Sequence, residues 1–159
     1  MMRTPLTSNG FDRLKEELHV LKTQERPAVI QAIAEARAHG DLSENAEYDA
    51  AKEKQSMLEG RIQDLENKIS TAEVINPTEL QKDGRVVFGV IVTFIDLNTD
   101  EQFKYQIVGE DEANIREGKI SYVSPIARAL IGKIKDDITE FDIPSGKREV
   151  QIIKVEYEV

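Results

Sequence analysis

From Tyr48 to Ala72 the positions Tyr48, Ala51, Gln55, Leu58, Ile62, Leu65, Ile69 and Ala72, all apolar or small except Gln55, alternate at spacings of three and four. Seven residues make close to two helical turns, so this stripe stays on one helix face over three heptads, and a seam that narrow is buried only against a second helix. The partner stripe lies upstream, where Phe11, Leu14, Leu18 and Leu21 recur at spacings of three, four and three. Two stripes joined by a short bend predict an antiparallel coiled-coil hairpin over residues 1–75, with its tip near 40–49.

Pro27 interrupts the first stripe. It removes a backbone donor and crowds the preceding turn, which predicts a kink or restart near Glu25 to Ala28, with Ile30 and Ile33 resuming on a shifted phase. Toward the bend the stripe residues shrink. Ala32, Ala34, Ala36, Ala38, Ala46, Ala50 and Ala51 crowd there, so the helices can approach closely and the distal end becomes slender. At ~1.5 Å per residue, helices of roughly 30 residues reach about 45 Å, a length suited to entering another structure.

Past a linker at 76–82 the period changes from helical to alternating, and residues 83–159 read as a small antiparallel β-sheet domain with one short helix. "VIVTFIDLNTDEQFKYQIVG" predicts a hairpin turning at Asn98 to Glu101, and "DITEFDIPSGKREVQIIKVEYEV" another turning at Pro144 to Lys147. Between them "SPIARALIGK" predicts a helix capped by Ser124, opened by Pro125 and ended by Gly132. The chain is thus an α+β protein of two domains. Aromatic residues are sparse in the second (Phe88, Phe94, Phe103, Tyr105, Tyr122, Phe141, Tyr157), and no apolar pocket stands out.

Composition narrows the function. With 30 acidic against 21 basic residues the net charge is −9, which disfavours strong binding to free DNA, since phosphate neutralisation supplies most nonspecific affinity. The absence of cysteine excludes disulfides and thiolate chemistry. No apolar run approaches the ~18 to 20 residues of a spanning helix, and the start "MMRTPLTSNG" lacks the apolar core of a signal peptide; the expectation is a cytoplasmic chain without a membrane partner.

The bend, "GDLSENAEYDA", gathers Asp41, Glu44, Glu47 and Asp49. Two readings stand. Asp41 and Glu44 have the spacing of a capping box, with Gly40 as the left-handed residue ending the first helix and His39 in its last turn. Alternatively, they are a carboxylate pair for a hard cation: Mg²⁺ takes one or two protein carboxylates and completes its shell with water and phosphate oxygens from elsewhere. Glu47 and Asp49 add charge beyond what capping requires. Arg37 and Lys52 lie near the tip on opposite helices, where they are either solvated charges or a pair able to steady an RNA phosphate. There is no HExxH, GxxxxGK[ST] or GxSxG motif, and His19 and His39 read as exposed helix residues.

"AIAEARAHGDLSENAEYDAAKEKQ", "LEGRI" and "SYVSPIARALIGK", with the "VIVTFIDL" hairpin and the closing "IIKVEY", resemble the bacterial transcript cleavage factors of the Gre family, essentially end to end. The resemblance implies a coiled-coil hairpin followed by an FKBP-like domain that docks on RNA polymerase at the mouth of its secondary channel. The hairpin then enters the channel, where Asp41 and Glu44 help to hold a weakly bound Mg²⁺ and orient the water that cuts the RNA 3′ end of a backtracked complex. No cofactor is implied for the free protein, and the cleavage activity is the polymerase's own. Asn45, Glu47 and Tyr48 fall at tip-shaping positions, though Tyr48 also sits on the apolar stripe. Arg37 and Lys52 match an RNA-contacting basic patch, and Ser121, Ser124 and Pro125 fall in the docking region. Ser43 departs from the basic residue common there. A channel-binding regulator that obstructs rather than stimulates, and an FKBP-like prolyl isomerase or chaperone, are the alternatives.

Overall fold

The computed structural model describes residues 3–40 and 45–157, divided into two compact units: one runs from Phe11 to Ala72, the other combines Arg3–Gly10 with the chain from Glu73 onward. Residues 3–10, which the sequence pattern assigns to the helical hairpin, therefore group with the second unit, as does the 76–82 segment. The chain opens with β1 (Thr4–Thr7), followed by α1 (Ser8–Val20), a π-helical turn (Leu21–Glu25), α2 (Arg26–Ala38) and α3 (Ala46–Ser70).

The expected kink at Pro27 takes the form of the π-helical turn. Val20, Glu25 and Arg26 keep right-handed helical angles, and the Arg26 amide donates to the Leu21 carbonyl five residues back. A proline ring collides with the carbonyl four residues earlier, and widening the preceding turn relieves that collision without breaking the helix. The turn inserts one residue into the stripe. The heptad of Phe11, Leu14, Leu18 and Leu21 would continue at Ala28, Ala32 and Glu35, yet the buried positions are Val29, Ile33 and Ala36, each one later. Ile33 resumes the stripe as predicted, whereas Ile30 is 54% exposed and does not.

On α3 the predicted stripe positions from Tyr48 to Ile69 are buried or half-buried, whereas Ala72, the last of the predicted stripe, lies beyond the helix in a strand. Leu58 and Ile62 pack with Val29 and Ile33, flanked by Leu18, Leu21, Tyr48 and Ala51. Two-pronged ion pairs bridge the helices: Arg26 to Glu59 at 2.9 and 2.7 Å, and Arg61 to Glu17 at 2.7 and 2.9 Å. Both are exposed, so their fork geometry fixes register more than it adds stability.

The second unit contains β2 (Ala72–Ile75, beginning at the boundary residue), β3 (Ile91–Asp96), β4 (Gln102–Val108), β5 (Lys119–Ser121), α4 (Pro125–Leu130), β6 (Ile138–Ile143) and β7 (Gly146–Glu156). β1 and β2 form a two-stranded sheet, and the others a five-stranded sheet of order β5-β4-β3-β7-β6. Both predicted hairpins are present, with Ile95 opposite Gln102 and Ile143 opposite Gly146. One pairing departs from the antiparallel expectation: β5 runs parallel to β4. Its connection is long enough because two 3₁₀ turns, Glu110–Glu112 and Ile115–Glu117, intervene, and Gly118 closes the second at φ +75°.

Alternate residues of β3, β4 and β7 point inward to form the core, in which Val90, Val92, Phe94, Ile107, Leu130 and Ile152 are almost wholly buried. Asp96 ends β3 as the organiser of its turn. One carboxylate oxygen accepts from the Asn98 and Thr99 amides at 2.8 and 3.2 Å, and the other from Arg148 at 3.2 Å. Among the described residues no helix is long and apolar enough to cross a membrane.

Candidate functional site

The helical unit brings several predicted residues together where α2 ends and α3 begins. The last amides of α2 fold back, His39 to Ala36 at 3.2 Å and Gly40 to Arg37 at 3.3 Å, and Gly40 has φ +110°, the left-handed geometry expected of it. The cap of α3 is Asn45, where the sequence assigns the capping box to Asp41 and Glu44. Asn45 Oδ1 accepts from the Tyr48 amide at 3.1 Å, while its Nδ2 donates to the Ala36 carbonyl at 2.6 Å. One side chain thus satisfies a donor at the start of α3 and an acceptor at the end of α2. Asp41 and Glu44 lie outside the described residues, as do Leu42 and Ser43.

Tyr48 belongs to the core stripe and the tip at once. Its ring packs on the interhelical cluster, and the Arg37 guanidinium stands 5.9 Å from its centroid. That distance is within cation–π range, and it holds the Arg37 side chain alongside α3. Glu47 and Asp49 occupy the first turn of α3, where the helix dipole favours negative charge, and Glu47 also meets His39 Nδ1 at 3.0 Å. Arg37 and Lys52 share an open depression of about 250 Å³ between the helices, completed by Ile30, Ile33, Ala34 and Gln55. Lys52 reaches Gln55 at 3.2 Å. The basic pair predicted from opposite helices is therefore a real neighbourhood.

In the second unit Ser124 caps α4 as expected, its hydroxyl accepting from the Ala127 amide at 3.2 Å with Pro125 following. Ser121 accepts from the Val123 amide at 3.2 Å, and its carbonyl from the Ser124 amide at 3.0 Å, so the approach to the helix is fixed. Ser121, Ser124 and Pro125 line one apolar depression of about 410 Å³, with the 62% exposed Ile115 at its margin.

A second cavity, of about 190 Å³, is lined by Phe94, Phe103, Tyr105, Ile126, Phe141 and Val150, with Asp96 and Arg148 at its polar end. This corrects the expectation that the domain has no apolar pocket. The signal was the strand period: Phe103 and Tyr105 share a face of β4, and Phe94 stands opposite Phe103 in register. Phe94 gathers the others, its ring centroid 5.4 Å from Phe103, 5.9 Å from Tyr105 and 6.5 Å from Phe141.

The described residues form a two-helix hairpin and a β-sheet unit with apolar recesses. Comparison with known proteins gives the family. Residues 4–74 match the N-terminal model of the GreA/GreB transcription elongation factors and residues 81–157 the C-terminal one. A protein named transcription elongation factor GreA from Neisseria meningitidis serogroup A is 59% identical over 99% of both chains, and one of the same name from Alkalilimnicola ehrlichii is 54% identical over 99% of both. A solved GreA/GreB elongation factor from Nitrosomonas europaea is 23% identical, covering 99% of this chain and 100% of its own, at a TM-score of 0.43. The chain belongs to the GreA/GreB family of transcription elongation factors.

Proposed function

We infer that this elongation factor acts on RNA polymerase by delivering the tip of its hairpin to the polymerase active centre, where it stimulates the enzyme's own cleavage of backtracked RNA. The observation that carries this reading is the clip made by Asn45. It joins the C-terminus of α2 to the N-terminus of α3, so the acid-bearing segment 41–44 is bracketed in sequence by two residues of settled geometry, Gly40 and Asn45.

Asp41 and Glu44 supply hard oxygen donors, the number and type that Mg²⁺ accepts from protein while phosphate oxygens and water complete its shell. Such a cation, when held there, lowers the pKa of a bound water and stabilises charge on the scissile phosphate. The chain's own contribution is to bind and orient. Asp41 and Glu44 would bring negative charge to a cation held at that site, and Arg37 with Lys52 offers two positive charges in one depression to an RNA phosphate. A lysine at the second position supplies a point charge rather than a planar fork. The depression at Ser121, Ser124 and Pro125 supports docking of the second unit on the polymerase, since its apolar lining and the exposed Ile115 gain from being covered.

The test is a stalled, 3′-extruded elongation complex carrying labelled RNA, incubated with the protein and Mg²⁺. Shortened RNA is expected with the wild type and not with the double variant Asp41→Asn/Glu44→Gln, whose helical circular dichroism should be unchanged. Shortening that persists in the double variant overturns the carboxylate role. Binding and slowed elongation without shortening by the wild type would make the protein an obstructing regulator.

A further inference from the structure

The carboxylate of Glu112 takes no part in the tip or the docking depression, yet it accepts three hydrogen bonds, two of them from a residue 105 positions away. It accepts from the Thr7 amide at 3.0 Å, from the Thr7 hydroxyl and from the Gly109 amide at 2.9 Å. Every one of these partners is a donor. An ionised carboxylate satisfies all three, whereas a glutamine that keeps its oxygen on the two amides presents NH₂ to the Thr7 hydroxyl, which must then turn its own proton elsewhere. The Thr7 hydroxyl in turn accepts from the Gly10 amide at 3.1 Å, which makes Thr7 the N-cap of α1 and leaves its proton directed at Glu112. The acid thus sits at the N-terminus of α1, where the helix dipole favours it.

The surrounding backbone leaves room for this arrangement. A Cβ on Gly10 would overlap the Glu112 carboxyl, and a Cβ on Gly109 would come within 2.6 Å of the Pro5 carbonyl oxygen. The Glu112 side chain is also set in place by its own 3₁₀ turn, since the Glu112 amide donates to the Gly109 carbonyl at 3.0 Å while the carboxylate takes the Gly109 amide. β1 is therefore seated against Gly109 and Glu112. The chain passes between the two units twice, within α1 after Gly10 and at the start of β2, and β2 pairs with β1. β1, which Glu112 holds, adjoins both passages, since it leads into α1 and pairs with β2.

We propose that Glu112 is a positioning residue for the cleavage activity inferred above, on which this role rests: by fastening Thr7 and the first turn of α1 it stiffens the connection through which the docked unit carries the tip. A tip delivered through a loose connection still docks but spends less time in productive geometry.

Full-length Glu112→Gln, Thr7→Val, Thr7→Ser and Gly10→Ala proteins are compared by amide hydrogen exchange and by RNA cleavage over a range of factor concentrations. In Glu112→Gln and Thr7→Val, exchange at the Thr7 and Gly109 amides should quicken by roughly tenfold while Phe94 and Ile152 stay protected. Maximal cleavage at saturating factor should fall about fivefold or more, with the half-saturating concentration moved by less than about twofold. Thr7→Ser keeps the hydroxyl and should behave as wild type. Gly10→Ala, although alanine ordinarily favours a helix, should resemble Glu112→Gln. Unchanged exchange, or quickened exchange with undiminished maximal cleavage, overturns the proposal. Wild-type protein that shortens no RNA overturns the cleavage reading and the positioning role with it, a failure distinct from a wild type that cleaves and a Glu112→Gln variant that cleaves equally well.

Discussion

Asn45 Nδ2 donates to the Ala36 carbonyl across the bend at 2.6 Å, while the oxygen of the same amide caps α3. Only a side chain carrying both a donor and an acceptor at its end makes both bonds. Asn45→Asp keeps the cap and turns a carboxylate toward a carbonyl; Asn45→Ala loses both bonds. We expect Asn45→Ala to destabilise the helical unit by about 1–2 kcal/mol and Asn45→Asp by about 1 kcal/mol, measured by hydrogen exchange of α2 and α3 amides. Equal protection in Asn45→Asp and wild type would show that the Ala36 bond adds nothing.

Pro27 and the π-helical turn make separable predictions. Pro27→Ala restores a backbone donor in a helix interior, where proline is unfavourable by about 3 kcal/mol, and should stabilise the hairpin by at least ~1 kcal/mol because the turn has already absorbed part of that strain. The turn itself should persist, since Val29, Ile33 and Ala36 remain one residue out of step with Leu21. Deleting Gln24 together with Pro27→Ala removes the extra residue and should preserve packing, whereas deleting Ala34 should cost several kcal/mol by turning Ala36 out of the seam. Chemical denaturation of the three proteins checks this ordering.

The acid limb of stability should carry a signature of Asp96. The Asn98 amide foremost, then the Thr99 amide and Arg148, hold its carboxyl below the usual carboxylate range. A lowered folded value means that its contribution is present above the unfolded value of about 3.9 and is lost as pH falls through the lower folded value. Asp96→Asn can still accept from both turn amides but does not titrate, so its unfolding midpoint should fall less steeply than that of wild type below about pH 4. Parallel curves from pH 2 to 6 would contradict this. Glu59, lowered chiefly by its hydrogen bond from Arg26, makes the same kind of contribution to the helical unit and leaves part of the acid limb in the Asp96 variant.

Ser124→Ala should lower the stability of the second unit by about 1 kcal/mol, and Ser124→Thr by less, because only the hydroxyl cap of α4 is at stake. Exchange at the Ala127 amide, the donor to that hydroxyl, is the direct readout. If the alanine variant protects Ala127 as well as wild type does, the cap is not what sets the end of α4.

Much of this architecture was legible because it is periodic. The α3 stripe from Tyr48 to Ile69, the hairpins turning near Asn98 and Pro144, and the Ser124–Pro125 start of α4 all follow from local spacing and cap chemistry. What was not legible depends on partners distant in sequence or on competition between similar signals. β1 and β2 are short strands that exist by pairing with each other, so neither has a pattern of its own to announce it. At the bend, Asp41 and Glu44 have the spacing of a capping box, but the cap of α3 is Asn45, whose bond to the Ala36 carbonyl depends on how α2 and α3 pair. The choice of Val29 over Ile30 follows from one inserted residue, which Pro27 signals without fixing its phase. Phe94, Phe103, Tyr105 and Phe141 come from three strands, and their convergence needs the sheet order as well as the alternation.

The bond from Thr7 to Glu112 closes a separation of 105 residues. During synthesis the amino end emerges first, and α2 and α3, whose contacts are short in sequence, can pair as soon as Ser70 is clear of the ribosome. The first strand cannot find its seat until Gly109 and Glu112 have followed, so it is secured later than the helical hairpin that comes after it in sequence.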